Sequence, residues 1–268
     1  MKLDYIFEKL WEAYTSQNPG VQQVYDLFVR EGERVVNDHI AFRTFDDARI
    51  GIDVLAKPFI ANGYIEKGTY HFEEKKLFAK HFEHETDPEA PRVFISELLT
   101  KSFSEFAQNT IKRVVDQIPA KMLYSEELIN SGRLWEKPSF EVYNKLKEES
   151  EYAAWIYVFG FCANHFTVSV NYLKKNDSIE KVNSLLKSSG FLINDAGGEI
   201  KGTPQELLEQ SSIKSGIVKI DFTEGPFEIP GCYYEFARRY PDENGNIYSG
   251  FIAKSADKIF ESTNFYKK

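Results

Sequence analysis

Val36-Asn37-Asp38-His39-Ile40-Ala41-Phe42-Arg43 is the stretch on which the fold turns. It is short, β-prone and alternating. Read as a strand, its period of two sends His39, Ala41 and Arg43 to one face and Ile40 and Phe42 to the other. The apolar face can lie on a core. The opposite face offers an imidazole, a small gap beside it, and a guanidinium two positions on. A ring nitrogen able to bind a metal, next to a cation able to hold a carboxylate, is a site in miniature.

Working outward, the same pattern recurs. His39 is followed by a helical run (Ile50, Val54, Leu55, Phe59, Ile60) behind a candidate cap at Asp46-Asp47, then by Gly63-Tyr64-Ile65. His165 is followed by a run carrying Ile179, Val182, Leu185 and Leu186 behind Asp177-Ser178, then by Gly190-Phe191-Leu192-Ile193. The two His-to-Gly intervals are 24 and 25 residues. Each unit closes with a strand bearing a glutamate, Glu97 in Phe94-Ile95-Ser96-Glu97-Leu98 and Glu235 in Tyr233-Tyr234-Glu235-Phe236-Ala237. A repeat decides architecture. The expectation is an α+β protein of two paired βαβββ modules forming one curled, mixed sheet, with first and last strands adjacent at its centre.

The remaining segments fit around that sheet as a single domain over 1–268. Residues 1–34 read as N-terminal helices broken at Asn18-Pro19-Gly20, 35–98 as the first module, 99–151 as a helical insert, and 152–268 as the second module and tail. In the first module, Tyr70 to Phe82 and Arg92 to Leu98 supply further strands. In the second, Tyr152 to Leu173 reads as the most strand-like region of the chain. Thr203-Pro204-Gln205-Glu206 opens a helical turn, and Ile217 to Phe222 and Gly231 to Tyr240 are the last strands.

Composition narrows the function classes. The chain has 268 residues, 42% hydrophobic and 28% charged, with a net charge of −8 and no basic stripe, so nucleic acid is not an expected partner. Aromatics reach 15%, with 22 Phe and 15 Tyr, which suits packed sheets and enclosed pockets. No apolar run of about 18 residues exists, so no membrane partner is expected. Met1-Lys2-Leu3-Asp4-Tyr5 opens no secretory signal, and two cysteines make no disulfide framework, so a cytoplasmic location is expected. Oligomeric state is left open.

The faces sharpen the site. On the second module's first strand, Phe161, Ala163, His165, Thr167 and Ser169 share a side, opposite Cys162, Asn164 and Phe166. On the last strand, Tyr233, Glu235, Ala237 and Arg239 share a side. Each ligand-type residue thus has an alanine two places away (Ala41, Ala163, Ala237), leaving room for an ion and a bound molecule. Two imidazoles and one carboxylate with open positions form the facial triad of non-haem Fe(II) oxygenases, although Zn, Mn or Ni can occupy the same donors. With Glu97 as a fourth ligand the set suits metal-assisted proton transfer instead. A lone strand histidine is as readily a hydrogen-bonded core residue, and Arg43 as readily a salt-bridge partner. Glu235, in an aromatic strand, needs a cation, either a metal or Arg239. His71, His81 and His84 read as surface residues. Cys162 and Cys232, an odd spacing from the ligands, read as neither ligands nor nucleophiles. Gly197-Gly198 is a turn, because no phosphate-loop pattern surrounds it.

The segments Asn37-Asp38-His39-Ile40-Ala41-Phe42-Arg43, Asn164-His165-Phe166-Thr167 and Tyr234-Glu235-Phe236-Ala237 resemble the three signature strands of the DUF1338 family. That family is associated with 2-oxoadipate dioxygenase/decarboxylase activity and belongs to the vicinal oxygen chelate superfamily, with glyoxalases and extradiol dioxygenases. The similarity runs from about Val35 to Tyr240. It implies the vicinal oxygen chelate fold and an Fe(II) site with no organic cofactor. It assigns ligand roles to His39, His165 and Glu235 and a substrate-carboxylate role to Arg43. The implied partners are a small 2-oxo acid and dioxygen, and the implied products are CO2 and a shorter 2-hydroxy acid. Arg238 and Arg239 are candidates for a second carboxylate anchor. Two rival readings stay open: a glyoxalase-like metal-dependent isomerase or hydrolase with Glu97 as ligand or base, and a non-catalytic binding protein of the same fold.

Overall fold

The computed structural model describes residues 1–252; the chain's last 16 residues, assigned above to the second module's tail, lie outside the described residues. Helices α1 (Leu3–Gln17) and α2 (Pro19–Arg30) open the chain, with Pro19 starting α2 at the expected break. Then come β1 (Asn37–Phe45), the short helices α3 (Ile52–Leu55) and α4 (Lys57–Ile60), β2 (Tyr64–Phe72), β3 (Leu77–His84) and β4 (Arg92–Leu98). Asp46 and Asp47 do not cap α3. Gly51 precedes it without a side-chain cap, and the two aspartates accept from Thr100 and Arg49 instead.

Four helices follow, α5 (Glu105–Asp116), α6 (Ala120–Leu123) and α7 (Phe140–Glu149) in the insert and α8 (Glu151–Phe159) at the start of the segment expected to be the second module. Serine caps start α5, α7 and α8, where Ser104, Ser139 and Ser150 accept from the backbone N–H three residues on. Helix α8 corrects an expectation, because Tyr152 to Phe159 is not strand. The helix is buried on every side, so its residues show no amphipathic period, and an all-apolar run reads equally as either element. Gly160 ends it with φ +70°; a Cβ there would lie 2.3 Å from the Gly132 carbonyl oxygen, so only glycine lets the chain turn into the next strand.

The second module comprises β5 (Ala163–Ser169), α9 (Ile179–Ser188), β6 (Lys201–Thr203), β7 (Leu208–Ser212), β8 (Ile217–Phe222), β9 (Gly225–Pro230) and β10 (Glu235–Arg239). Ser178 caps α9 and Thr203 caps the 3-10 turn at Pro204–Glu206, as expected. Phe191 to Ile193 is not a strand, making only a single bridge from Ile193 to Ile213. Ile217 to Phe222 is β-structure but leaves the main sheet, pairing with β9 in a separate hairpin whose Phe227 stacks on Phe140 at 3.8 Å. Its place in the sheet is taken by β7, whose residues Leu208-Glu209-Gln210-Ser211-Ser212 are all buried though mostly polar.

The main sheet has the order β2-β3-β4-β1-β5-β10-β7-β6. β1 and β5 meet antiparallel at the centre, and each pairs in parallel with its own module's closing strand, β4 or β10. This is two βαβββ units side by side, a mixed, curled half-barrel. Helices α1 and α2 cover one face, with Trp11 edge-on to Phe166 at 5.1 Å and Phe28 against Phe236 at 5.8 Å. Leu10 is fully buried there. Leu10→Ala is expected to destabilise the protein by about 2–5 kcal/mol through lost burial and the cavity left behind; a thermal-unfolding midpoint unchanged from wild type would contradict that packing. No helix among the described residues is long and apolar enough to cross a membrane.

Candidate metal centre

The central strand pair sets the site. Thr167 of β5 lies opposite His39 and His165 lies opposite Ala41, so the two histidines face each other diagonally across the module boundary. β10 brings Glu235 alongside Thr167. One nitrogen from each imidazole and one oxygen of Glu235 lie within 4.8 Å of one another, all buried. His165 Nε2 is 3.3 Å from Glu235 Oε2, and His39 Nε2 is 3.6 Å from Glu235 Oε1. Donors about 2.1 Å from one ion stand about 3.0–3.4 Å apart at octahedral or tetrahedral angles, so this set fits a single cation.

Two β-bulges finish the ligand shell. The β1–β5 register slips once at Asp38 and once at Asn164, the residues that precede the two histidines. A bulge re-aims its extra residue. Each therefore reaches its neighbour's Nδ1: Asp38 Oδ1 at 2.8 Å from His39, and Asn164 Oδ1 at 3.0 Å from His165. Strict alternation had put Asn164 on the far face, and the bulge overturns that. Ala163 consequently pairs with Phe42 rather than standing beside His165 as a small neighbour. The signal in the sequence was local: both histidines follow a short side chain with an acceptor oxygen, and such partners fix a ligating imidazole's tautomer.

Electrostatics follow from burial. Burial pushes both imidazoles below the ordinary histidine value, His165 well below it. Burial works against ionising Asp38, but the Arg239 guanidinium, donating from Nε and Nη2 at 2.7 and 2.9 Å, holds the carboxyl far below its usual range. Glu235 is pushed up to about 8 by burial, opposed by donation from the Gln210 amide. The Thr167 hydroxyl sits 3.0 Å from His39 Nε2.

A metal needs the carboxylate ionised and the imidazoles neutral. With both imidazoles held below the ordinary histidine value, Glu235 is the ligand with a proton to lose between about pH 6.5 and 8, so divalent-ion affinity is expected to rise by up to about tenfold per pH unit over that range and then level off. Calorimetric titrations in two buffers of different ionisation enthalpy should show about one proton released per ion near pH 6.5 and close to none near pH 9. A proton count that stays the same across that range would contradict this account of Glu235.

A small, partly open pocket lies over these ligands, lined by Arg43, Phe94, Ser96, Asn164, Tyr233 and Phe251 among others. Arg43 stacks over the rings of Tyr152 and Trp155, at 4.9 and 5.2 Å, both supplied by α8. Phe251 closes the far side, 4.9 Å from the His39 ring and 4.8 Å from Phe94. Its segment is held by Arg239, whose Nη1 donates to the carbonyls of Tyr248 and Gly250. Phe251, Phe94 and Ser96 carry no spacing that marks them in the sequence, whereas Tyr233 was legible only as sharing Glu235's face.

Three expected placements change. Glu97 is not at the centre: it pairs with Thr44, faces α3 and accepts from the Ile52 N–H. The register explains why. Ala41 and Thr167 each follow a histidine by two residues, and their parallel partners are Phe94 and Glu235, so the counterpart of Glu235 in the first module is Phe94. Arg239 serves Asp38, not Glu235, and Arg238 reaches out to the Asp177 carbonyl. His81 is buried, 2% exposed, bonded to Tyr70 and Glu83 and packed on Phe251, whereas His71 is exposed. Cys162 and Cys232 are free and buried; burial pushes the Cys232 thiol up to about 12, which suits neither a ligand nor a nucleophile.

Comparison with known proteins gives the family and the fold. A family model described as 2-oxoadipate dioxygenase/decarboxylase matches residues 6–243. A 2-oxoadipate dioxygenase/decarboxylase of Oryza sativa, named as chloroplastic/amyloplastic, is 35% identical over 96% of this chain and 78% of its own length. The structure of the Oryza sativa hydroxyglutarate synthase in complex with 2-oxoadipate superposes with TM-score 0.90 at 33% identity, covering 97% of this chain and 91% of that one. A putative hydrolase from Shewanella frigidimarina is 48% identical with TM-score 0.89, covering 93% and 97%. A putative glyoxalase-superfamily protein from Ralstonia eutropha shares the fold alone, at TM-score 0.73 and 21% identity over 90% and 83%.

Proposed function

The chain belongs to the 2-oxoadipate dioxygenase/decarboxylase family, and from that premise we propose that it is an Fe(II)-dependent enzyme converting a small 2-oxo diacid such as 2-oxoadipate, with O2, to CO2 and the 2-hydroxy diacid one carbon shorter. The observation that carries this reading is the convergence of His39, His165 and Glu235 at the floor of a cavity that also presents Arg43.

The residues divide the work. His39 and His165 offer neutral Nε2 donors because Asp38 and Asn164 hold their Nδ1 atoms and burial keeps them unprotonated. Glu235, once ionised, offsets part of the ion's charge, and Gln210 holds its other lone pairs. Arg43 presents a flat fork suited to a substrate carboxylate, steadied by the aromatic faces behind it. Phe94, Tyr233 and Phe251 keep water from the reacting end of the cavity. Iron bound to this triad supplies positions where a 2-oxo acid can chelate and dioxygen be activated. The balance is complete without another reductant: the 2-oxo acid loses its carboxyl as CO2, one oxygen atom of O2 completes the new carboxyl at the former carbonyl carbon, and the other is inserted into a C–H bond of the adjacent carbon as the 2-hydroxyl. Both cysteines are free thiols, which suits a reducing compartment such as the cytoplasm.

The isomerase reading needs a fourth ligand or a base opposite Glu235, and the equivalent position holds Phe94. Anaerobic loading with Fe(II), followed by oxygen uptake in the presence of 2-oxo acids, separates the two. Uptake matched mole for mole by CO2 supports the dioxygenase. Turnover on Ni²⁺ or Zn²⁺ without oxygen would replace it with the isomerase, and tight metal binding without turnover would leave a binding protein.

A further inference from the structure

The two modules orient their histidines by the same device but with different residues, Asp38 in one and Asn164 in the other. Asp38 is fully used: one oxygen accepts from His39 and Arg239 and the other from Arg239. Asn164 is only half used. Ligation through Nε2 requires His165 Nδ1 to carry the proton, so the amide oxygen must face the ring. That leaves the Asn164 Nδ2 group, which is buried without a hydrogen-bond partner in a residue only 1% exposed that lines the cavity beside Arg43. A buried amide donor left unsatisfied is costly, so a free Nδ2 calls for a partner. If holding His165 were its only task, an aspartate would serve as it does at position 38.

We infer that Asn164 is a substrate-binding residue, whose Nδ2 donates to an oxygen of the metal-chelating end of the 2-oxo acid while its Oδ1 holds His165. The inference rests on the proposed function and deepens it. One side chain thereby ties ligand orientation to substrate recognition, and the carboxylate or keto oxygen gains a neutral donor in addition to the Arg43 charge.

Asn164→Asp separates the two tasks, keeping an acceptor for His165 and replacing the donor with a second acceptor. Calorimetry of the Mn²⁺- or Fe(II)-loaded protein without oxygen, titrated with 2-oxoadipate, reads both. The expected result is one ion per chain retained and 2-oxoadipate affinity lowered about 10- to 100-fold, as for a lost hydrogen bond to a charged group. Affinity within about threefold of wild type would overturn the inference, as would loss of the ion with the fold intact, which would make Asn164 a support for His165 alone. If the wild-type protein itself fails to bind 2-oxoadipate, the functional reading fails instead. A crystal structure of the loaded wild-type protein with 2-oxoadipate decides independently of any variant: Nδ2 within hydrogen-bond reach of a ligand oxygen supports the inference, and Nδ2 bonded only to water or protein overturns it.

Discussion

His165→Ala is expected to abolish stoichiometric metal binding while leaving the protein folded. His165 contributes one of three donors, and the other two, His39 Nε2 and Glu235, cannot hold a divalent ion tightly alone. Removing an outer partner of a ligand typically costs about 10- to 100-fold in affinity, so removing the ligand itself should exceed about 100-fold. The fold should survive because the ring does not knit the core together. It stacks on Tyr233 at 4.8 Å at the cavity floor, and the β1–β5 ladder that carries it is backbone-made. Metal analysis by emission spectroscopy after gel filtration, alongside circular dichroism, reads both outcomes. One ion per chain in this variant would show that the centre has been misassigned.

Arg43→Met is expected to lower kcat/KM for 2-oxo acids by about 30- to 3,000-fold, with metal content unchanged. Truncating one partner of a buried, charged hydrogen-bond pair costs about 2–5 kcal/mol, and each 1.4 kcal/mol is tenfold. Arg43 is not one of the three donors, so the ion is expected to stay. The loss should fall mainly on KM if the guanidinium only anchors substrate, and Arg43→Lys should restore part of it, since an ammonium keeps the charge but not the planar fork stacked between Tyr152 and Trp155. Unchanged kinetics in Arg43→Met would remove the carboxylate-anchoring role.

The duplication was legible because two histidines precede matched strand–helix–glycine runs, and because the alternation in Ile40-Ala41-Phe42-Arg43 is clean. Glu235 was legible as a carboxylate in an aromatic strand. Its equation with Glu97 failed because strands were aligned by their glutamates, whereas pairing register aligns Glu235 with Phe94. The two bulges were hidden because a period of two assumes an unbroken ladder, and a single extra residue moves Asp38 or Asn164 to the other face. Helix α8 was hidden by uniform burial, and β7 by polar residues that point into the protein rather than to water. Phe251 carries no local mark at all. It reaches the centre only because Arg239 folds the segment after β10 back over it.

The whole account depends on three donors from separate strands serving one ion. Anomalous diffraction at the iron edge, from crystals grown without oxygen in Fe(II) and 2-oxoadipate, tests this most directly. The account predicts a single peak roughly 2.0–2.3 Å from His39 Nε2, His165 Nε2 and a Glu235 oxygen, with 2-oxoadipate on its open side. Iron bound at other side chains, or a triad left without iron in protein that elsewhere carries it, would contradict it.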